Sequence, residues 1–285
     1  MSVRGGLKAA AADRVASWPR RISANVAQGF ALLARTRRAR QRPSWRAPAR
    51  IAAGMLVALV AIAGTMVFVD ARAIIAARRA PHWVFAVFDA VTDFGKAGWF
   101  LWPIGILLAA IAALASPALP RVTRLVLARM TIRLGFLFAA IAVPSLFTTV
   151  VKRLVGRARP FVDSQVDPFH YMPFVWRPDY AGMPSGHATT AFAAAIAVGV
   201  IWPRLRAPMW AYALIIAASR VVLTAHYPSD VVAGAVVGIF GAWLVRDWFA
   251  ARRLGLVVGP DGGIRTFPGP SLARIKRVAR SLLAP

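Results

Sequence analysis

Three clusters carry the residue types that phosphoryl chemistry uses. In Lys152-Arg153-Leu154-Val155-Gly156-Arg157-Ala158-Arg159-Pro160, Lys152 and Arg159 are seven residues apart, two helical turns, so a continuing helix sets both on one face toward one anion. Arg supplies a planar fork of donors and Lys a point charge; cations beside an apolar run also serve as interface anchors, and the cluster alone is open to either use. Pro184-Ser185-Gly186-His187 feeds an apolar stretch. A Ser-Gly turn there presents backbone N–H groups and a hydroxyl to an anion, and His187 can hand a proton to a leaving oxygen; an ordinary N-cap beside a boundary histidine has the same composition. The third cluster is Ser219-Arg220, His226 and Asp230. Arg220 sits inside an apolar run, where an unpaired Arg costs about 2.5–3.5 kcal/mol, so a polar cavity and a partner are expected. Pro228 sets a helix start from which Asp230 can fold back to His226. A carboxylate on one ring nitrogen fixes the tautomer that frees the other as nucleophile. An interfacial histidine with a capping Asp is the plain alternative for those two residues by themselves.

The elements that must hold these clusters follow from composition. The chain has 285 residues, 59% of them hydrophobic, with 36 Lys+Arg against 10 Asp+Glu and a formal charge of +26. A mean hydropathy of +0.59 is too apolar for a soluble basic domain and excludes disorder across the chain. The absence of cysteine excludes disulfides, thiolate metal sites and Cys nucleophiles. What remains is a polytopic membrane protein. Apolar stretches at 51–69, 99–119, 134–151, 187–203, 208–225 and 231–245, with Arg220 as their one Lys or Arg, predict an all-α bundle of six transmembrane helices. The fourth and sixth are rich in Ala and Gly, which suits close helix packing. Segment 74–98, with Arg78, Arg79, Asp89, Asp93 and Lys96, is predicted as an interfacial helix or loop.

Residues 1–50 form a basic tail, disordered by composition; within it Ile22, Val26, Phe30 and Leu33 at helical spacing allow an amphipathic helix on anionic lipid headgroups. A membrane domain spans 51–250, and a second basic tail 251–285. With the N-terminus cytoplasmic, 26 of the 36 basic residues fall on the cytoplasmic side, so both termini are assigned there, in the inner (plasma) membrane. Lys152, Arg153, Arg157, Arg159 and Arg177 break the rule by crowding into one outer loop. All three clusters then share the outer, periplasmic face. Their single carboxylate describes a site that needs no metal, since magnesium or calcium calls for several. Asp163, Asp167 and Asp179 are scattered through the outer loop as entrance-lining or salt-bridging groups.

Together the clusters resemble the signature of the type 2 phosphatidic acid phosphatase (PAP2) superfamily: Lys-x6-Arg-Pro at 152–160, Pro-Ser-Gly-His at 184–187 and Ser-Arg-x5-His-x3-Asp at 219–230, with every motif position matched. The resemblance covers about residues 51–250. Soluble acid phosphatases and vanadium haloperoxidases share this signature, and the run of spans points instead to the membrane lipid phosphatase branch. The resemblance implies that His226 attacks phosphorus to form a phosphohistidine, that Asp230 orients it, and that His187 protonates the departing oxygen and later activates water. It further implies that Lys152, Arg159, Ser185, Gly186 and Arg220 bind the phosphate oxygens, with no cofactor and no metal. Arg153, Arg157 and Arg177 stand outside the motif and are assigned to lipid-surface anchoring or a second phosphate. Phe161, Phe169, Tyr171, Phe174 and Trp176 line the entrance or form an aromatic belt. The implied substrate is a lipid phosphate or diphosphate: undecaprenyl diphosphate, phosphatidylglycerophosphate, phosphatidate or a lipid A phosphate. The alternatives are a lipid phosphotransferase using the same phosphohistidine and a non-catalytic lipid-binding or transport protein; nucleic-acid binding by the tails ranks last, and oligomeric state is left open.

Overall fold

The computed structural model describes residues 18–34, 36 and 48–283; the basic residues of 1–17, 35 and 37–47 and the side chain of Asp163 lie outside the described residues. Among the described residues, ten helices run in order: α1 Trp18–Leu33, α2 Pro48–Phe68, α3 Asp70–Arg78, α4 His82–Thr92, α5 Gly98–Leu114, α6 Arg121–Val155, α7 Gly186–Ile201, α8 Arg206–Val222, α9 Pro228–Ala251 and, after a short hairpin, α10 Leu272–Leu283. The stretches Pro48–Phe68, His82–Leu114, Arg121–Val155, Pro203–Val222 and Pro228–Ala251 are long and apolar enough to cross a membrane. Along α2 no residue is buried. A face carrying Leu56, Val57, Leu59 and Val60 at more than 60% exposure belongs against hydrocarbon rather than water. The chain is thus a multi-pass helical membrane protein.

The sixth apolar helix is different in kind. α7 has 16 residues, about 24 Å of helix against a hydrocarbon core of about 30 Å. It sits at the centre, with buried residues from Ala188 through Ala195 on every side, and packs against α6, α8 and α9. Phe136, Ile141, Ala194, Ala242 and Phe249 form the core beside it, with Phe136 and Phe249 edge-to-face at 5.5 Å. Gly234 and Gly238 of α9 let the two backbones touch, because a Cβ at either would collide with the carbonyl of Ser185 or Thr189. That contact brings the start of α7 against the start of α9.

Segment 74–98 is largely helical: it holds most of α3, all of α4 and a 3-10 turn at Asp93–Gly95 leading into α5. α6 is longer than its apolar part, since the charged turns at Arg124, Arg129 and Arg133 stay helical below it. Apart from an isolated bridge between Arg157 and Tyr171, the C-terminal segment holds the one departure from an all-α chain among the described residues. There Leu256–Val258 (β1) pairs antiparallel with Ile264–Thr266 (β2). Helix α10 then returns to the bundle, setting Val278 against Ile111, Val126 and Leu127. α1 packs at the same end, where the Asn25 side-chain amide donates to the carbonyls of Ala112 (2.8 Å) and Ala115 (3.0 Å).

Candidate active site

Because α6, α7, α8 and α9 alternate in direction, the end of α6, the start of α7, the end of α8 and the start of α9 meet at one end of the bundle. All three sequence clusters lie there. α6 stops at Gly156, whose φ of 62° is left-handed and whose N–H caps the Lys152 carbonyl. The helix therefore does not continue through Arg159, and the expected shared face of Lys152 and Arg159 is not what joins them. Arg159 sits on an extended strip instead, its N–H donating to the Asp179 carbonyl (2.8 Å) while Ala158 N–H donates to His170 and Gly182 N–H to Arg157. Even so, the charges of Lys152, Arg153 and Arg159 act on one another.

The second cluster caps α7. Ser185 is the N-cap residue, and its N–H is already spent on the Asp230 carbonyl at 2.9 Å. Its hydroxyl remains buried without a protein partner, at a helix start whose first N–H groups have no intrahelical acceptor. His187 packs on the Asp93–Gly95 turn, where any side chain at Gly95 would strike it. It lies within charge range of Arg220, His226 and Lys96.

In the third cluster, Arg220 donates from Nη1 to the Thr92 hydroxyl at 2.6 Å, and the Ser219 hydroxyl contacts the same oxygen at 3.0 Å. The partner expected for this intramembrane cation is thus α4. α9 starts at Pro228, as its sequence predicts, and Asp230 Oδ2 accepts the Tyr227 N–H at 2.9 Å. His226 Nδ1 stands 3.6 Å from the same oxygen. That is ion-pair range, longer than a hydrogen bond, and contacts of this sort tighten when a reacting group binds. Burial pushes the His226 imidazole below its usual pKa, against the opposing pull of Asp230 and with Arg159 and Arg220 adding to the lowering. The ring is therefore neutral at pH 7.

Among the described residues, Arg153 Nη1, Arg159 Nε, Ser185 Oγ and Arg220 Nε are buried donors with no hydrogen-bond partner in the protein. Burying such groups costs about 1–3 kcal/mol each when they stay unpaired, more when charged. Arg159 and Arg220 lie within charge range of the neutral His226 imidazole, and unpaired donors of this kind are suited to an anion. Burial lowers Arg159 from its ordinary range, with Asp179 and Asp230 pulling the other way, and its guanidinium stays charged. No group of three or more His, Asp or Glu side chains suited to a metal occurs among the described residues.

A family model described as the PAP2 superfamily matches residues 133–254. The chain is also 32% identical over 216 residues to the lipid A 1-phosphatase of Rhizobium johnstonii, across 75% of this chain and 87% of that protein. The chain belongs to the PAP2 superfamily. This PAP2 chain is 37% identical to the decaprenylphosphoryl-5-phosphoribose phosphatase of Mycolicibacterium smegmatis over 51% of its own length and 68% of that protein's. The crystal structure of a transmembrane PAP2 type phosphatidylglycerolphosphate phosphatase from Bacillus subtilis overlays with a TM-score of 0.43 at 20% identity, covering 68% of this chain and 92% of that one.

All eight sequence-picked residues of the PAP2 signature reach the one end of the bundle. Arg157 does not anchor at a lipid surface: it is wholly buried and ion-paired to Asp70 and Asp230. Arg177 is exposed and pairs with Asp179 at 3.3 Å. Of the five loop aromatics, Phe169, Phe174 and Trp176 are exposed, whereas Phe161 lies under Arg78 and the Tyr171 hydroxyl reaches Met66. Thr92 and Asp70 were not picked out by any motif. A lone acid just past an apolar span was the one available signal for Asp70; Thr92 offered none.

Proposed function

We propose that this PAP2 chain dephosphorylates a membrane lipid phosphate or diphosphate without a metal, through a phosphohistidine on His226. The observation that carries this is the set of buried, protein-unpartnered donors on Ser185, Arg159 and Arg220 gathered at a neutral His226. With Asp230 against Nδ1, Nε2 is the nucleophilic nitrogen. The Nε2–P bond forms as the bond from phosphorus to the lipid oxygen breaks, and His187 gives that oxygen a proton. Lys152, Arg159, Arg220, Ser185 and the Gly186 N–H hold the non-bridging oxygens as negative charge builds. Water, deprotonated by His187, then splits the Nε2–P bond and releases phosphate.

The substrate favoured for testing is a lipid A 1-phosphate, because a relative named for that activity aligns along 87% of its length. Phosphatidate, phosphatidylglycerophosphate and undecaprenyl diphosphate complete the panel. The distribution of basic residues supports a site on the periplasmic face. Arg121, Arg124, Arg129, Arg204, Arg206, Arg246, Arg252 and Arg253 occupy the opposite end, where α1 and α10 also dock, and a basic face of Arg274, Lys276, Arg277 and Arg280 suits anionic headgroups. The test is inorganic phosphate release from each panel lipid in detergent by the wild type. Release from at least one is expected; release from none by folded protein overturns the proposal.

A further inference from the structure

Behind Asp230 lies a buried ion cluster that touches none of the reacting atoms of the proposed chemistry. Arg157, 0% exposed, uses all three guanidinium nitrogens: Nε donates to the Pro168 carbonyl (2.9 Å), Nη1 to Asp230 Oδ1 (2.5 Å) and the Ser229 hydroxyl (2.7 Å), and Nη2 to Asp70 Oδ2 (2.7 Å). Asp70, also 0% exposed, accepts the Ser229 N–H on Oδ1 (2.9 Å) and the Ser229 hydroxyl on Oδ2. The Tyr227 ring covers the guanidinium at 4.7 Å. Every carboxylate oxygen in the cluster has a partner, and one of them, Asp230 Oδ2, also faces His226.

Two features separate this cluster from a general structural clamp. Its geometry fixes both oxygens of the Asp230 carboxylate, one on Arg157 and the other between Tyr227 N–H and the imidazole, so the carboxylate plane cannot turn away from His226. Its charge is also informative. Arg157 beside Asp230 alone would form a neutral pair and cancel the negative charge that steadies a cationic phosphohistidine. Asp70 returns the total to one negative charge. It comes from the segment after α2, outside the 133–254 family match, and its only role in the cluster is to meet Arg157 and Ser229. Buried ion pairs are weak devices for stability alone, since desolvation offsets most of the attraction.

We infer that Arg157 and Asp70 are positioning residues of the active site: Arg157 orients the Asp230 carboxylate toward His226, and Asp70 offsets the charge of Arg157 so that a net negative charge stays behind the imidazole. This rests on the phosphohistidine chemistry proposed for His226. The groups that face the imidazole are Asp230, Arg159, Arg220 and His187, and those that face Asp230 are Arg157, Arg159, Tyr171 and Tyr227. None of these is changed in the Asp70 variant except through its effect on Arg157.

The experiment measures kcat, KM and the acid limb of kcat/KM for phosphate release in detergent from whichever of the four panel lipids the wild type turns over fastest, with thermal denaturation as a check on folding. Asp70→Asn leaves zero net charge, so the acid limb is expected at lower pH and kcat about 10–100-fold down with KM little changed, the size of loss that outer partners of a functional histidine produce. Arg157→Gln leaves two negative charges and moves the limb to higher pH. Arg157→Lys keeps the charge and loses the fork, so kcat falls while the limb stays. The double variant Asp70→Asn/Arg157→Gln restores one negative charge with a neutral amide pair, and its limb is expected back at the wild-type position. An acid limb unmoved in all folded variants, with kcat tracking only the amount of folded protein, overturns the inference while leaving His226 chemistry intact. A wild type that releases phosphate from none of the four panel lipids overturns the function itself, and this inference with it.

Discussion

His226 Nδ1 stands 3.6 Å from Asp230 Oδ2, the oxygen that also accepts the Tyr227 N–H. One carboxylate oxygen thus serves as both the helix cap of α9 and the partner of the imidazole, so the start of the helix itself aims the charge. Asp230→Asn keeps the shape and the cap geometry but removes that charge. The expected result is a kcat loss of about 10³–10⁴-fold, as for the carboxylate of a Ser-His-Asp triad, measured as phosphate release at saturating lipid. Breaking the buried pair with Arg157 should also lower the melting temperature in detergent, with a cost of about 3–5 kcal/mol.

The depressed His226 pKa gives a pH dependence with a definite sign. In the proposed mechanism a neutral imidazole is the reactive form, so the acid limb of kcat/KM should lie below the free-imidazole value of about 6.5. Stability follows the same group. Between its folded and unfolded pKa values the unfolded chain binds more protons, so this contribution to stability is intact above about 6.5 and falls as pH drops through that value. Melting curves in detergent from pH 7.5 down to 5 should show the decline, and His226→Gln should flatten it.

Arg159 and Arg220 are the forked donors proposed to hold the phosphate, and Arg220 is tied to Thr92 as well. Replacing either with Lys keeps the charge but loses the fork. We expect about a 10–100-fold loss in kcat/KM, roughly 1.4–2.7 kcal/mol of transition-state binding. Thr92→Val should show a smaller loss in the same assay, because it frees Arg220 without removing it.

In the proposed chemistry the cations at the site do the work that a divalent ion does elsewhere, so full activity in excess EDTA is the expected outcome. Strict dependence on added magnesium or calcium in dialysed protein contradicts the proposed chemistry.

The α7–α9 contact can be tested without touching a charged group. Gly234→Val pushes a side chain into the Ser185 carbonyl and should separate Ser185 from Asp230. Overpacking of this kind costs about 1–3 kcal/mol, and the melting temperature and kcat should fall together. Gly135→Ala on α6, where a Cβ meets nothing within 4 Å, is the neutral control.

Much of this was legible in the sequence because the signals are local. Arg220 betrayed a buried polar partner by sitting in an apolar run, and Pro228 marked the start of α9. The apolar stretches located the helices, though not their ends: α6 runs on through Arg124, Arg129 and Arg133 because a helix leaving the lipid needs no apolar residues to continue. The 3-residue strands Leu256–Val258 and Ile264–Thr266 are too short to carry an alternating pattern. What the sequence hid is non-local. Arg157 resembles an interface anchor until the left-handed Gly156 and the hydrogen-bonded strip after it turn the side chain inward. Its partner Asp70 meets Ser229 from 159 residues away, and Thr92 meets Arg220 from 128. No spacing rule relates such residues; only the packing of α3 and α4 against α8 and α9 brings them together.

The most direct test is to quench the enzyme during turnover of a lipid carrying a ³²P-labelled phosphate and to map the label on the chain. The account predicts an alkali-stable, acid-labile phosphoryl group on His226, absent from a folded His226→Ala protein that also fails to release phosphate. Label elsewhere, or wild-type turnover by that variant, contradicts it.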